Sequence, residues 1–408
     1  MKRTLITNIG MLATPQGTAA RGGRAQGEIC ILKNAWIFIE NDVIAQVGTG
    51  TAPAAVGVQI INAGGKLVTP GLVDAHTHLI FGGWRQNELA LKLHGAGYLD
   101  ILAAGGGILS TMRATQSASE EQLEAKASAA LDEMLRFGTS TAEAKSGYGL
   151  STGEECKALR VIGKLQKHHV MDLAATFMGA HAVPEAYRDN RQGYLELLCE
   201  EMLPAVREQG IAEFCDVFCE KGVFSAEESR RILLTGRQHG LRPKIHADEI
   251  EAIGGSELAG EIGAVSAEHL IVCPPSGIAS MAEGGTVACC LPATSFYLGA
   301  AYAPVQDMVQ AGVPVAMATD FNPGSCPCLN MQLVISLGCL RYRLTPEQAL
   351  TAVTLNGAAA ICRADRIGSI EPGKQADILI WNAEDLDYIC YRLGSNLVDT
   401  VIKKGNVV

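Results

Sequence analysis

The sequence contains no uninterrupted apolar run of about 18 residues, so no segment of it is expected to cross a bilayer as a helix. It has no excess of basic residues either. Lys and Arg number 33 against 43 Asp and Glu, a formal net charge of −10, and this excludes a general nucleic-acid binder because phosphate neutralisation needs a basic face. No Gly-x-Gly-x-x-Gly stands at a first strand-to-helix turn, which argues against a dinucleotide fold. No Gly-Lys-Ser/Thr follows the glycine cluster Ala104-Gly105-Gly106-Gly107, so that cluster reads as a turn and not a phosphate cradle. Thr7 and Asn8 interrupt any apolar stretch behind the basic Lys2-Arg3, and no signal peptide is read. The cysteines are odd in number, 13, and scattered. They resemble small buried hydrophobes in a reducing cytoplasm more than a disulfide framework, and the single Cys326-Pro327-Cys328 reads as structural thiols.

What is present is ample material for a core: 48% of the 408 residues are hydrophobic. Residues 1–65 carry short apolar runs between turn residues (29–32, 35–39 and 43–47), the pattern of a small antiparallel unit. The far end repeats it at 375–381 and 398–402. Between them, short apolar runs alternate with longer amphipathic stretches such as 120–137 and 154–168. The runs fall at 72–75, 140–144, 173–178, 214–218, 243–246, 264–267, 286–291 and 314–318. Eight βα units predict a (β/α)₈ TIM barrel over residues 66–365, with an open doubly wound sheet as the rival. Residues 1–65 and 366–408 then form a small β-sandwich built from both termini.

Barrel enzymes carry their chemistry at the C-terminal ends of the strands. Five of the nine histidines fall at or just past such ends: His76, His78, His181, His246 and His269. His94, His168, His169 and His239 do not, and read as surface or helix-end residues. His76 and His78 are two residues apart, which in a strand puts both imidazoles on one face. With His246 ending strand 5 and Asp320 ending strand 8, they form a candidate catalytic metal site, and three imidazoles and a carboxylate accept zinc or iron.

The motif from Val68 to His78, with Asp74-Ala75-His76-Thr77-His78 at its end, resembles the strand-1 signature of the amidohydrolase superfamily. The tail Gly368-Ser369-Ile370-Glu371-Pro372-Gly373-Lys374-Gln375-Ala376-Asp377 resembles that superfamily too. Narrower pieces are similar to the imidazolonepropionase family within it: His76 to Gly83 with Arg85, Lys145 to Leu150, Gly179-Ala180-His181, His246-Ala247-Asp248-Glu249, and Thr319 to Ser325. Trp84 stands where that family often has a small residue.

The resemblance implies one metal ion per subunit on His76, His78, His246 and Asp320. It implies substrate contacts from Arg85, Tyr148, His181, Glu249, Asn322, Gly324 and Ser325, a homodimer, and hydrolysis of the cyclic amide of 4-imidazolone-5-propanoate to N-formimidoyl-L-glutamate in histidine degradation. Arg85 suits the substrate's carboxylate because its planar fork binds two oxygens at once. A metal lowers the pKa of bound water toward neutrality, and Asp320 is then the expected proton acceptor and donor. Glu249 would orient the water or bond the ring, and His181 and His269 would polarise the carbonyl or stabilise the oxyanion. Some relatives hold two metals on a modified lysine at strand 4; Lys221 lies close to that place, but the pattern implies a single ion. The alternatives are another cyclic amidase or a deaminase on the same scaffold, or a catalytically silent relative. Neither a nucleic acid nor a membrane is expected as a partner.

Overall fold

The computed structural model describes residues 2–53, 57–94 and 106–408. Five strands open the chain: β1 (Arg3–Thr14), β2 (Cys30–Glu40), β3 (Val43–Thr49), β4 (Gln59–Asn62) and β5 (Leu67–Pro70). Eight follow in the middle: β6 (Leu72–Asp74), β7 (Thr139–Lys145), β8 (Asp172–Ala180), β9 (Phe214–Cys219), β10 (Arg242–Ala247), β11 (Ser266–His269), β12 (Val287–Cys290) and β13 (Val315–Met317). Three close it: β14 (Ile378–Trp381), β15 (Val398–Lys403) and β16 (Asn406–Val407).

β6 to β13 pair in strict sequence order, all parallel, and form a nearly closed barrel. These strands are buried almost end to end, as strands covered by helices outside and side chains inside must be. The seam between β6 and β13 closes just beyond the strand ends. There Asp320 N–H donates to the His76 carbonyl at 3.1 Å and His78 N–H to the Phe321 carbonyl at 2.9 Å. The closure itself therefore brings the two histidines against Asp320. The helix Glu120–Arg136 shows how the outer layer forms: Ser119 and Gln122 make a reciprocal capping box, and Leu123, Ala127, Leu131 and Met134 recur at helical spacing on the buried face.

The termini form one eight-stranded sheet in the order β16-β15-β14-β5-β1-β2-β3, with β4 also on β1. It is mixed, not purely antiparallel as expected. β2 runs antiparallel to β1, whereas β4 and β5 run parallel to it along its other edge. The chain leaves β3 on the far side of β2 and crosses back before pairing again, so a hairpin is impossible there. β5 pairs antiparallel with β14, so the segment just before the strand-1 histidines is anchored in this sheet. Its core is aliphatic: Ile6, Ile37, Ile39, Ile44, Val68, Ile378, Ile380 and Ile402 are all buried. No helix among the described residues is long and apolar enough to cross a membrane. Of the glycine cluster, Ala104 and Gly105 lie outside the described residues, while Gly107 sits at φ 72° and leads into the helix Ile108–Ser117.

Candidate metal centre

The barrel interior is stacked in layers. At the N-terminal end lies an apolar plug: Val73, Ala174, Phe214, Val287 and Ala316 pack with Leu355, Ala358 and Ile361 from the helix Leu355–Ala360 and the residue after it. Above it lies a fully buried ionic layer. Lys145 Nζ sits 2.8 Å from Glu143 Oε2 and 2.6 Å from Asp216 Oδ2. Lys244 Nζ sits 2.9 Å from Glu143 Oε1 and 3.3 Å from Glu268 Oε1. Such a layer is stable only because each charge faces an opposite one at short range.

The histidines crown that layer. His76 Nε2 is 3.5 Å and His78 Nε2 3.6 Å from Asp320 Oδ1, and His246 Nε2 is 3.3 Å from His78 Nε2. Zinc–nitrogen bonds of about 2.1 Å in a tetrahedron require ligand atoms about 3.4 Å apart, which suits each of these three contacts; the ligand atoms within 4.8 Å of one another form two groups that share His76, one with His78 and His246 and one with His269 and Asp320. Both ring nitrogens of His76 and Oδ1 of Asp320 are buried without a hydrogen-bond partner among the described residues. Three imidazole nitrogens and a carboxylate oxygen turned toward one another, with nothing between them to donate, are the signature of a cation site.

Electrostatics agree. Burial first, then the Lys145 charge, holds His76 well below the ordinary histidine range; burial, then neighbouring His181, does the same for His78. Burial also lowers His246 to about 3, although Asp216 opposes it. All three are thus neutral and offer lone pairs. The His246 tautomer is fixed from behind: its Nδ1 lies 3.1 Å from Asp216 Oδ1, so the Nδ1–H donates and Nε2 is presented to the site. Burial alone would raise the Asp216 carboxyl, but His246 and Lys145 hold it well below the usual carboxylate range. Asp320 is oriented by the Thr294 hydroxyl, which donates to Oδ2 at 2.7 Å and leaves Oδ1 toward the histidines. Asp320, at φ 57°, Asp248, at φ 52°, and His269, at φ 69°, turn off strands 8, 5 and 6 in the left-handed region, a strain of the kind concentrated at functional sites.

The other expected residues surround this centre in different ways. His269 approaches His76 and Asp320 closely enough to form a second ligand-like group with them, and its Nε2 is 3.6 Å from Glu249 Oε2. His181 stacks on His78, ring centroids 4.8 Å apart, and its Nδ1–H donates to the Gly147 carbonyl at 3.0 Å. Tyr148 lies beside both rings, 5.9 Å from His78 and 5.2 Å from His181. Arg85 packs against Gly324, where a Cβ would come within 2.2 Å of Nη1. The side chain of Asn322 is engaged within its own loop: Oδ1 accepts from Gly324 N–H and Ser325 N–H, and Nδ2 donates to the Asp320 carbonyl and the Ser325 hydroxyl. Asn322 and Ser325 therefore shape the strand-8 loop.

Lys221, near the place of a bridging lysine in two-metal relatives, points outward and pairs with Glu251 at 2.8 Å. All the cysteines, Cys326 and Cys328 included, are free thiols. Trp84 caps the strand-1 loop, 4.9 Å edge-on to Phe81, with the Lys126 ammonium 3.7 Å above the Phe81 ring and 4.6 Å above its own.

Sequence reasoning gave no role to Asp216, Glu143, Lys145, Lys244, Glu268 or Thr294. For all but Thr294, which lies in the helix Pro292–Leu298, the available signal was a place inside a strand run: Lys244 stands two residues before His246, hence on the same face.

An amidohydrolase family model matches residues 67–408. The imidazolonepropionase of Alkaliphilus metalliredigens (strain QYMF) is 50% identical over 414 aligned positions, covering 100% of this chain and 98% of that protein. That of Bacillus cereus (strain G9842) is 49% identical, covering 100% and 97%. Among solved structures, atrazine chlorohydrolase from Arthrobacter aurescens TC1 complexed with zinc superposes with a TM-score of 0.73 at 17% identity, covering 99% of this chain and 94% of that one, a likeness of fold. Sharing half its residues end to end with proteins of that name, the chain belongs to the imidazolonepropionase family of the amidohydrolases.

Proposed function

We propose that this chain hydrolyses the ring amide of 4-imidazolone-5-propanoate to N-formimidoyl-L-glutamate, with one zinc or iron ion on His76, His78, His246 and Asp320. The observation that carries the reading is the gathering of His76, His78 and His246, with Asp320 against the first two, and an arginine suited to a carboxylate packed on Gly324 of the loop that follows Asp320. In the reaction, water adds to the ring carbonyl carbon and the bond from that carbon to the ring nitrogen breaks. One proton of the water ends on the departing nitrogen and the other leaves to solvent. The metal, when bound, polarises the carbonyl and lowers the pKa of water.

The chain supplies the rest. Asp320, held by the Thr294 hydroxyl at Oδ2 with Oδ1 toward the histidines, is placed to take a proton from water and return it to the ring nitrogen. Burial raises Glu249 to about 7, which suits it to hold or accept a proton from the ring. His181 is neutral, lowered by burial to about 4, and its Nδ1–H is committed to Gly147. Its Nε2 is then an acceptor, suited to a ring N–H and not to an oxyanion; the oxyanion role falls to His269, which lies beside Asp320. Burial keeps the Tyr148 phenol protonated, a neutral donor for the substrate. Arg85 binds the propionate.

Imidazole and carboxylate accept zinc and iron alike; the zinc in the structurally similar chlorohydrolase favours zinc. Free thiols throughout suit a reducing cytoplasm, and a homodimer is carried over from the family. The test is turnover of 4-imidazolone-5-propanoate against a panel of lactams, hydantoins and aminated bases, with metal content measured on the same sample. The reading expects imidazolonepropionate to be turned over fastest by a sample holding one ion per chain. Faster turnover of a neutral base would replace it with the deaminase alternative.

A further inference from the structure

Arg85 is the group expected to receive the substrate carboxylate, and a guanidinium on a loop must be aimed by something. Two neighbours do so. On one side its Nη atoms lie over Gly324, where an added Cβ would sit 2.2 Å from Nη1 and 3.0 Å from Nη2. On the other, its Nε–H donates to Oε1 of Glu88 at 3.0 Å. Glu88 ends a single tight turn, Gln86–Glu88, and is only 2% exposed. A carboxylate buried to that degree needs donors, and Oε1 has a second one: the Gly107 N–H at 2.7 Å, from the far end of the same strand-1 loop. The second oxygen, Oε2, is buried without a partner among the described residues, so both contacts converge on one atom.

We propose that Glu88 is a positioning residue: it fixes the plane of Arg85 so that the Nη pair faces the substrate's propionate, and it ties the return of the strand-1 loop to the same point. With Nε held by Glu88, an arriving carboxylate is received end-on by Nη1 and Nη2, in the planar two-oxygen geometry that makes arginine selective for carboxylates. The device rests on the functional reading above, because it acts through a substrate carboxylate. Glu88 touches neither the reacting atoms nor the metal ligands. Its effect is therefore confined to binding of the remote carboxylate, a contact made alike in ground and transition states.

The experiment measures steady-state kinetics of wild type, Glu88→Ala, Glu88→Asp and Glu88→Gln on 4-imidazolone-5-propanoate and on 4-imidazolone lacking the propionate, with metal content as a control of the fold. Glu88→Ala should raise KM roughly tenfold on the natural ring with kcat within about threefold. Glu88→Asp, which keeps the charge but shortens the reach, should do the same, and it decides the matter if the alanine variant does not fold. Glu88→Gln should return KM to within about threefold of wild type, since an amide oxygen accepts from both donors. On the propionate-free ring all four proteins should have equal kcat/KM. A KM unchanged in Glu88→Asp, or an equal loss on both rings, overturns the proposal while leaving the activity intact. No turnover of imidazolonepropionate by wild type overturns the functional reading and the proposal with it.

Discussion

Asp216 makes the sharpest demand on the account, because it lies behind the metal centre and touches only one ligand. Replacing it with asparagine keeps the shape and removes the charge. In the wild type its two oxygens serve two partners, His246 Nδ1 at 3.1 Å and Lys145 Nζ at 2.6 Å. An amide has one acceptor oxygen. The ammonium takes it, and the amide NH₂ then faces the imidazole N–H, donor against donor. His246 relieves this by moving its proton to Nε2, the atom that should hold the ion. Carboxylates behind metal-bound histidines are worth about 10–100-fold in affinity, or roughly 1.4–2.7 kcal/mol. Breaking a buried ion pair so that one charge is stranded costs roughly 3–5 kcal/mol, but Lys145 keeps Glu143 at 2.8 Å, so the apo protein should lose less than that. The assay is competition against a chelator of known affinity, with the melting temperature of the metal-free forms measured in parallel. Asp216→Asn should release its ion at least tenfold more readily while remaining folded. An ion held as tightly as in wild type would refute the assigned tautomer of His246 and the role of the ionic layer beneath it.

Three further outcomes are expected. Gly324→Ala places a methyl 2.2 Å from Arg85 Nη1 and should raise KM several-fold; in an Arg85→Ala background the same change should add little, because the clash is gone, and independent effects in the double variant would contradict the contact. Asp74 is raised to about 7 by burial, although Thr319 donates to it twice and opposes the shift. The folded chain then keeps a proton that the unfolded chain has lost from about pH 4 upward, so stability falls as pH rises from about 4 to 7; Asp74→Asn should flatten that slope in melting curves, and an unchanged slope would reject the raised value. Trp84→Ala removes one of two rings beneath Lys126 and should cost no more than about 1 kcal/mol by denaturant titration, with kcat unaltered; a change in kcat would place Trp84 in the substrate site.

The barrel was legible because each of its strands is a short apolar run followed by an amphipathic stretch, and burial on both faces writes itself into composition. The edges were less so. The sixth strand, expected at 264–267, lies at Ser266–His269, which makes His269 its last residue and carries it to the rim. The candidate ligands could be picked out because five of the nine histidines stand at or just past strand ends, and the structure gathers those five at one end of the barrel. The ionic layer could not, since lysine and glutamate read as surface residues unless their inward parity is followed along the strand. Lys221, set aside as a bridging ligand on the sequence pattern, lies just past β9, where its ammonium pairs with Glu251 at the surface. The parallel pairing of β4 and β5 with β1 was equally hidden, because neighbouring strands are linked by long-range contacts that local patterns do not encode.

X-ray absorption at the metal edge of the protein as purified tests the central claim most directly. The account predicts one ion per chain in a shell of nitrogen and oxygen only, with multiple scattering from three imidazoles that drops to two in His246→Ala. A shell containing sulfur, or an imidazole count that His246→Ala leaves unchanged, would contradict it.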